Sequence, residues 1–320
     1  MFGITELTYT SLISFLIVVI LGPIFIPMLT KFKFGQTVRD DGPQTHLAKN
    51  GTPTMGGVLM ILAILITGLT RSKIGSDMVV GLISVVGFGL VGFLDDFIII
   101  KKRRSLGLKP WQKIVLQLAL ALYISYYQYT KSASAAQLII PFTDAVINLG
   151  PLYIPITTFI IIGIVNAVNL TDGLDGLASG VTLIVAAFFM IFATSISNTD
   201  VAVLAAATVG ACIGFLGFNA YPAKIFMGDT GSMALGGAVT AFAVLTNSML
   251  LFVLVGGIYF AEAISVMLQV TYYKLTKKRI FKMAPIHHHF EQCGWPETKV
   301  VFTFWIVTVV LAWIGIIAVF

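Results

Sequence analysis

Apolar stretches, each long enough to cross a bilayer, recur along almost the whole of this 320-residue chain. The hydrocarbon core that such a stretch must cross is roughly 30 Å thick. Inside it, backbone groups must bond within their own segment, so the sequence predicts helices rather than short alternating strands. With 58% hydrophobic and 11% charged residues, an ordinary soluble domain is excluded. About ten spans are predicted, at 7–30, 54–70, 78–94, 111–129, 152–170, 177–195, 201–218, 233–246, 249–272 and 300–320.

The predicted fold class is an all-α polytopic membrane protein, with residues 1–320 forming a single integral membrane domain. Neither a Pro/Gly/Ser-rich linker nor a low-complexity tract interrupts the spans. The absence of a convincing repeat between the halves disfavours a transporter built from inverted repeats. Gly256-Gly257 in the ninth span, and Pro23 and Pro27 in the first, are predicted kink or close-packing positions.

Lysine and arginine residues fall mainly in alternate loops between the predicted spans. The loops on one side hold 17 of the 20, and the opposite loops hold only Arg71, Lys73 and Lys131. Because cytoplasmic loops carry the excess of positive charge, both termini are predicted to be extracytoplasmic. The net charge of +6 is then a topological signal with an attraction to anionic lipid, and nucleic-acid binding is not expected.

The predicted cytoplasmic side also gathers nine of the fourteen acidic residues, which places a candidate active site at that face. Asp95 and Asp96 end the third span, where a carboxylate facing lipid would be costly. Neighbouring carboxylates repel each other, and a Mg²⁺ ion with phosphate relieves that repulsion. The alternative for an isolated Asp-Asp pair is a solvated helix end.

Asn169, Asp172 and Asp175 follow one another at a spacing of three, in Asn-Leu-Thr-Asp-Gly-Leu-Asp-Gly. On a helical turn this spacing places the side chains on one face, and Gly173 permits close approach of a backbone. Such a group suits the sugar and base of a nucleotide. An Asx-type turn between two spans is the alternative.

Asp229 lies in Phe-Met-Gly-Asp-Thr-Gly-Ser, just before the eighth predicted span. Thr230 or Ser232 is predicted to cap that helix, whose free amides attract phosphate. Asp229 is then placed to hold a metal that bridges the phosphate. A simple capping turn is the alternative.

Three consecutive histidines, His287, His288 and His289, lie in a basic loop after Met-Ala-Pro-Ile. Consecutive side chains on a helix project in different directions, unlike the i,i+4 pair of a zinc site. Donors to diphosphate oxygens, or a proton-transfer role near neutral pH, are therefore favoured over zinc binding.

Lys49 lies in a dense polar stretch that runs from Arg39 through His46 to Gly57, and is placed to contact phosphate as a point charge. The basic stretch from Lys101 to Lys113 is interpreted mainly as a topological signal. Glu262 lies well inside the ninth span. A carboxylate there marks either a packed polar pair or a transport pathway.

Taken together, five segments closely resemble the phospho-N-acetylmuramoyl-pentapeptide-transferase family, a branch of the polyprenyl-phosphate N-acetylhexosamine-1-phosphate transferases, over nearly the whole chain. The triple histidine separates this family from relatives that transfer N-acetylglucosamine phosphate. The segments are Gly51–Gly57, Gly92–Asp96, Asn169–Gly176, Asn219–Ser232 and Ala284–Phe290.

The resemblance implies a ten-helix enzyme of the bacterial plasma membrane, usually a homodimer, that requires Mg²⁺. Such an enzyme moves phospho-N-acetylmuramoyl-pentapeptide from its UDP carrier to undecaprenyl phosphate. The products are lipid I and UMP, in the first membrane step of peptidoglycan synthesis. The alternatives are a transferase for UDP-N-acetylglucosamine and, from another class, a cation-coupled transporter that uses Glu262.

The resemblance also implies roles for individual residues. Asp95, Asp96 and Asp229 are expected to form the catalytic acidic triad, with Asp229 and Asp95 as metal ligands. Phe226 is expected to stack on uracil. The expected substrate-binding residues are Lys49, Asn169, Asp172, Gly173, Asp175, Asn219, Phe226, His287, His288 and His289.

The favoured mechanism is in-line attack by the lipid phosphate on the phosphorus bound to the sugar, with Mg²⁺ and cations neutralising the diphosphate. A phosphate monoester has a second pKa near roughly 6, so it is mostly dianionic at neutral pH without a protein base. Asp96 is therefore expected to position the lipid phosphate or the metal more than to remove a proton. A covalent aspartyl-phosphate route stays open.

Overall fold

The computed structural model of the chain is built almost entirely from α-helices. It describes residues 3–31, 49, 51–71, 74–102, 107–131, 136–143 and 145–319. The polar residues from Arg39 to His46, as well as Arg103 and Arg104, lie outside these described residues. The helices are α1 (Ile4–Lys31), α2 (Gly57–Arg71), α3 (Ser76–Lys102), α4 (Pro110–Lys131), α5 (Tyr153–Thr171), α6 (Leu177–Ser195), α7 (Thr199–Asn219), α8 (Gly228–Leu245), α9 (Met249–Val255), α10 (Gly257–Thr276), α11 (Ile286–Gln292) and α12 (Glu297–Ile317).

Each predicted span coincides with a helix or, for the ninth, with a pair of helices. Within the described part of the chain, six helices are long and apolar enough to cross a membrane: α1, α3, α5 with the short turn before it, α6, α7 and α12. The bent pair α9–α10 makes a seventh if it is counted as one span. The chain is therefore a helical membrane protein with several spans. The count of about ten stays a prediction, because α2 is shorter and α4 and α8 fall outside that set.

The ninth predicted span is bent. Helices α9 and α10 meet at an angle of 82°, and Gly256 separates them. The glycine pair thus confirms the prediction of a kink at this position. Helix α1, in contrast, continues through Pro23 and Pro27 without a break.

Between α4 and α5 the chain forms a small hairpin that the sequence analysis did not predict. Strands β1 (Gln137–Ile139) and β2 (Val146–Asn148) pair antiparallel, with Leu138 opposite Ile147. Strands this short, with mostly exposed side chains, carry little periodic signal in the sequence. The hairpin follows the end of α4 that is remote from Lys113, so it lies away from the polar cluster described below.

Helix α8 lies at the centre of the bundle and is buried from Thr230 to Leu245. Glycines let the neighbouring backbones approach it closely: Gly57 of α2 packs directly on Gly231, with no room for a side chain between them. Ser84 of α3 donates a hydrogen bond of 2.7 Å to the carbonyl oxygen of Gly237. This packing fixes α8 among α2, α3 and α5 and delivers its polar first turn to one end of the bundle.

The contact between Gly57 and Gly231 predicts the effect of a single methyl group. Gly57→Ala should destabilise the protein by about 1–3 kcal/mol, because the new methyl group meets backbone atoms that cannot rotate away. The control is Gly163→Ala, on an exposed face of α5 with open space around it, which should be neutral or slightly stabilising. Thermal unfolding in detergent measures both. Equal midpoints for the two variants would contradict the close approach.

Candidate active site

Polar residues from five segments meet at one end of the bundle. These segments are the stretch before α2, the end of α3 with the start of α4, the α5–α6 loop, the α7–α8 loop, and α11 with the start of α12. Contacts between Lys49 and Asp175, Asp96 and Thr230, and Phe226 and Pro53 join them. They are the segments that hold most of the lysine, arginine and acidic residues of the chain.

Asp96, which is 6% exposed, caps the N-terminus of α8 from the neighbouring helix α3. Its Oδ1 accepts a hydrogen bond of 3.2 Å from the backbone N–H of Asp229. Its Oδ2 accepts two more, from the backbone N–H of Thr230 at 2.9 Å and from the Thr230 hydroxyl at 2.6 Å. Both carboxylate oxygens are thereby used to hold the first turn of α8, where a negative charge is favoured.

The prediction that Thr230 or Ser232 caps α8 is wrong. The Thr230 hydroxyl donates to Asp96, and the Ser232 hydroxyl donates to the carbonyl oxygen of Gly228 at 3.1 Å. The cap comes from a residue far away in the sequence, and a local motif carries no information about such a partner.

Asp229 extends from this capped turn toward α4 and α5. Its Oδ2 forms an ion pair with the ammonium of Lys113, and its Oδ1 accepts a hydrogen bond of 2.9 Å from Asn169. The carboxyl groups of Asp95 and Asp229 adjoin each other, and Asp95 also accepts the backbone N–H of Leu108 at 2.9 Å. Two carboxylates and one ammonium group therefore share this corner of the site.

Lys113 is a candidate site residue that the sequence analysis did not single out, since it was assigned to a stretch that mainly sets topology. Its side chain is 17% exposed and paired, whereas a purely topological cation has no reason to be buried. One signal was present: Lys113 was counted with the loop before the fourth predicted span, but it falls within the limits of that span, 111–129. A charge within a span calls for a partner.

The donor set at Asp95 and Asp229 suits a metal ion that is shared with a ligand. Mg²⁺ is usually bound by one or two carboxylates together with phosphates and water. No group of three or more His, Cys, Asp or Glu side chains that is able to hold a metal occurs among the described residues. The two carboxylates thus fit a metal that also contacts a phosphate, and they do not fit a cage made by the protein alone.

A second charged cluster consists of Lys49, Asp175 and Glu297. The Lys49 ammonium lies 2.7 Å from Asp175 Oδ1 and 2.6 Å from Glu297 Oε1. Glu297 also accepts the backbone N–H of Asp175 at 2.7 Å, and Asp175 Oδ2 accepts that of Ala223 at 2.9 Å. The cluster ties four segments together. Glu297 carries no signal in the sequence, since an acidic residue in the first turn of a helix is common.

The charge state of Lys49 follows from these partners. Burial lowers the pKa of Lys49, but hydrogen bonds to Asp175 and Glu297 and their charges raise it by more, so the net shift is upward. Lys49 is therefore an ammonium group at neutral pH. Its two close carboxylate partners make it part of the framework.

Asn219 is buried, and both its amide oxygen and its amide nitrogen are hydrogen-bonded. Its Oδ1 accepts from the Gly176 backbone and the Ser179 hydroxyl, both at 3.1 Å, and its Nδ2 donates to the carbonyl oxygen of Ile225 at 2.9 Å. The next segment is held in turn, since the backbone N–H of Phe226 donates to Pro53 at 2.8 Å. Phe226 itself is half-buried.

Asp172 differs from the other carboxylates of the site. It follows the last residue of α5 and is half-buried, and no described residue donates a hydrogen bond to its carboxylate. Burial raises the pKa of Asp172 well above its usual range, and the nearby carboxylates of Asp229, Asp96 and Asp175 raise it further. The described residues thus leave its hydrogen-bonding capacity unused, and its protonated form is a donor.

The three histidines lie on the short helix α11 and point to different partners, as their spacing predicts. His287 is fully buried, with Nδ1 3.0 Å from Oε2 of Glu262. His288 Nδ1 lies 2.7 Å from Glu291, and His289 accepts the backbone N–H of Lys282 at 3.1 Å. Glu262 thus belongs to a packed polar pair, one of the two alternatives for it.

The chain matches known proteins over its whole length. A family model described as glycosyl transferase family 4 matches residues 78–247, and one described as phospho-N-acetylmuramoyl-pentapeptide-transferase signature 1 matches residues 49–61. The phospho-N-acetylmuramoyl-pentapeptide-transferase of Clostridioides difficile (strain 630) is 77% identical over 321 residues and covers 100% of both chains. This chain belongs to the phospho-N-acetylmuramoyl-pentapeptide-transferase family. The corresponding transferases of Alkaliphilus metalliredigens (strain QYMF) and Alkaliphilus oremlandii (strain OhILAs) are 51% and 52% identical, and cover 98% of this chain.

Membership of the phospho-N-acetylmuramoyl-pentapeptide-transferase family confirms the resemblance read from the motifs, and confirms that the chain is an enzyme of the transferase class. The transporter alternative loses its support, because full-length relatives are transferases and Glu262 has a buried partner. The signature over residues 49–61 contains Lys49 and the segment that pairs with Phe226.

The ion pair of Lys113 predicts a large effect of its removal. Lys113→Met keeps much of the side-chain length but leaves Asp95 and Asp229 without their cation, so transferase activity should fall at least about a hundredfold. Lys109→Met, at an exposed position in the same segment, is the matched control and should stay within about twofold of the unmodified protein. Comparable activity of the two variants would contradict a role for Lys113.

Proposed function

We propose that this protein transfers phospho-N-acetylmuramoyl-pentapeptide from its UDP carrier to undecaprenyl phosphate in the bacterial plasma membrane, forming lipid I and UMP. One observation carries the proposal: Asp95 and Asp229 come together beside Lys113 at the end of the bundle, where phosphates and a divalent cation find their usual partners. Membership of the family, with a relative 77% identical over its full length, supports the same reaction.

We place this site at the cytoplasmic face, with ten membrane crossings and both termini extracytoplasmic. The distribution of lysine and arginine supports this orientation, since 17 of the 20 lie in loops on the side of the site. Helices α2, α4 and α8, which do not belong to the set of long apolar helices, are still compatible with ten crossings. Helix α8 is buried within the bundle along nearly its whole length, so its polar residues do not face lipid.

Asp229 and Asp95 are the residues that would hold Mg²⁺, which supplies charge neutralisation at the phosphates when it is bound. Lys113 adds a second positive charge at the same place. Asn169 orients Asp229 by donating to its Oδ1 and is itself bonded to Ser232 at 2.8 Å. These residues therefore offer fixed charges to a transferring phosphoryl group, which is what phosphoryl transfer chiefly requires.

The chemical step balances without a protein base. An oxygen of the lipid phosphate bonds to the phosphorus attached to the sugar, and the bond from that phosphorus to the bridging oxygen of UMP breaks. UMP leaves with the electron pair. The attacking phosphate is mostly dianionic at neutral pH, since its second pKa is roughly 6. Asp96 is then a positioning residue, because both of its oxygens are bound to the first turn of α8.

On the nucleotide side, we assign contacts with the ligand to two residues, Asp172 and Phe226. The Asp172 carboxyl group accepts no hydrogen bond from described residues and suits the ribose or uracil, and the half-buried Phe226 ring suits stacking on uracil. Lys49, Asp175 and Asn219 are bonded to protein partners, so we assign them to holding the loops in place.

The protein is proposed to act as a homodimer, as the family resemblance implies.

The reaction is tested by UMP release from detergent-purified protein given UDP-N-acetylmuramoyl-pentapeptide and undecaprenyl phosphate. Release should need the lipid and Mg²⁺, and Asp229→Asn should lower it at least about a hundredfold, because it removes a charge at the phosphate site. UDP-N-acetylglucosamine should be inert. Release from UDP-N-acetylglucosamine alone would assign the protein to the other branch, and release that does not respond to Mg²⁺ would contradict the metal site.

The role of Asp96 is tested by comparing Asp96→Asn with Asp95→Asn. Asp96→Asn should lower both activity and thermal stability, by about 1.5–3 kcal/mol for the latter, since it replaces a charged acceptor of three hydrogen bonds. Asp95→Asn should lower activity with a smaller effect on stability. A stable Asp96→Asn protein that regains activity as the lipid phosphate ionises at higher pH would instead favour proton removal by Asp96.

A further inference from the structure

The carboxyl group of Glu262 and the imidazole of His287 form a buried pair that the proposed reaction does not use. Glu262 lies in α10 and His287 in the first turn of α11, and both are fully buried. Oε2 of Glu262 lies 3.0 Å from Nδ1 of His287. The pair is a close polar contact and not an aligned hydrogen bond, since among the described residues neither oxygen of Glu262 and neither ring nitrogen of His287 has a hydrogen-bond partner.

Stability alone gives no reason to keep this pair. Removing a carboxylate from water inside a membrane-spanning helix is costly, and a buried ionic pair is often no more stable than apolar side chains of similar volume. Tyr259, one turn earlier in α10, forms a neutral hydrogen bond of 2.7 Å with Thr182 of α6, which costs less free energy than a buried ionisable pair. The pair at Glu262 therefore points to a role outside stability.

The other edge of the His287 ring faces the loop between α5 and α6. A Cβ atom at position 173 would overlap Nε2 and Cε1 of His287, so the ring occupies the space that a side chain at Gly173 would need. Gly173 follows Asp172, the carboxyl group that the proposed function assigns to the nucleotide. The imidazole thus lies between Glu262 on one side and the backbone beside Asp172 on the other.

We infer that Glu262 is a positioning residue for nucleotide recognition: its carboxyl group lies against Nδ1 of the buried His287 ring and limits where the ring can lie, and the ring supports the backbone at Gly173, which holds Asp172 in place. This inference rests on the proposed function, because it takes Asp172 to contact the nucleotide. It assigns His287, expected from the resemblance to contact substrate, to the support of the loop that does so.

The inference predicts a selective effect on the UDP-linked substrate. Glu262→Leu removes the partner of Nδ1 and should raise the KM for this substrate about tenfold, while the KM for undecaprenyl phosphate stays the same. Glu262→Gln keeps the size of the side chain and a polar group beside Nδ1, and should recover most of the loss. Tyr259→Phe is the matched control, since it breaks a buried polar pair in the same helix away from His287, and should leave both KM values unchanged.

A double-mutant cycle tests whether Glu262 acts through His287. In a His287→Ala background, Glu262→Leu should cause no further rise in KM. An additive rise, or equal changes in both KM values, would overturn the inference. Thermal unfolding of each variant in detergent accompanies the kinetics, because removing one partner of a buried pair is destabilising. The comparison of Glu262→Gln with Tyr259→Phe keeps the inference testable where Glu262→Leu does not fold.

Binding of UDP alone separates failure of this inference from failure of the proposed reaction. Calorimetric titration with UDP should show about a tenfold higher Kd for Glu262→Leu and an unchanged Kd for Tyr259→Phe. An unmodified protein that binds UDP but releases no UMP would overturn the proposed reaction while the comparison of Kd values still tests Glu262. An active enzyme whose Glu262→Leu variant binds UDP as tightly as the unmodified protein would overturn the inference alone.

Discussion

The carboxylate of Asp96 at the N-terminus of α8 is the interaction on which the site depends. Three hydrogen bonds, of 2.6 to 3.2 Å, join the end of α3 to the first turn of α8. Asp229 lies in that same turn, so its direction toward Lys113 and Asn169 follows from the position of the helix end. The close packing of α8 against its glycine-containing neighbours then fixes the position of its N-terminal end. Catalytic geometry thus derives from a helix cap supplied by another helix.

Much of this organisation is predictable from the sequence, for identifiable reasons. Apolar runs and charge bias are properties of single segments, so the spans and the side that gathers the carboxylates can be read directly. The pairing of Lys113 with Asp229, the cap by Asp96 and the contact of Glu262 with His287 join residues far apart in the chain. No local pattern specifies such partners. The hairpin after α4 was missed because its strands are too short for a periodic signal.

Residues of similar chemistry have different tasks in this site. Asp96 and Asp175 have both oxygens bound to the protein, and Asn219 has its carbonyl and amide groups bound as well. Asp172 accepts no hydrogen bond from the described part of the chain, and Asp229 shares its carboxylate with a cation. Motifs alone rank these residues equally. The distinction follows from hydrogen-bond accounting, since a buried acceptor already satisfied by the framework has little left to offer a ligand.

The ion pair between Lys113 and Asp229 has a consequence for the order of binding. The ammonium already neutralises a carboxylate that a divalent cation would use, so the free protein competes with its own metal for that oxygen. A diphosphate brings negative charge that compensates both cations at once. The proposed metal and the nucleotide would then enhance each other's affinity, and thermodynamic linkage makes such an enhancement equal in both directions. A site built in this way would hold Mg²⁺ weakly when it is empty and firmly when the substrate is present.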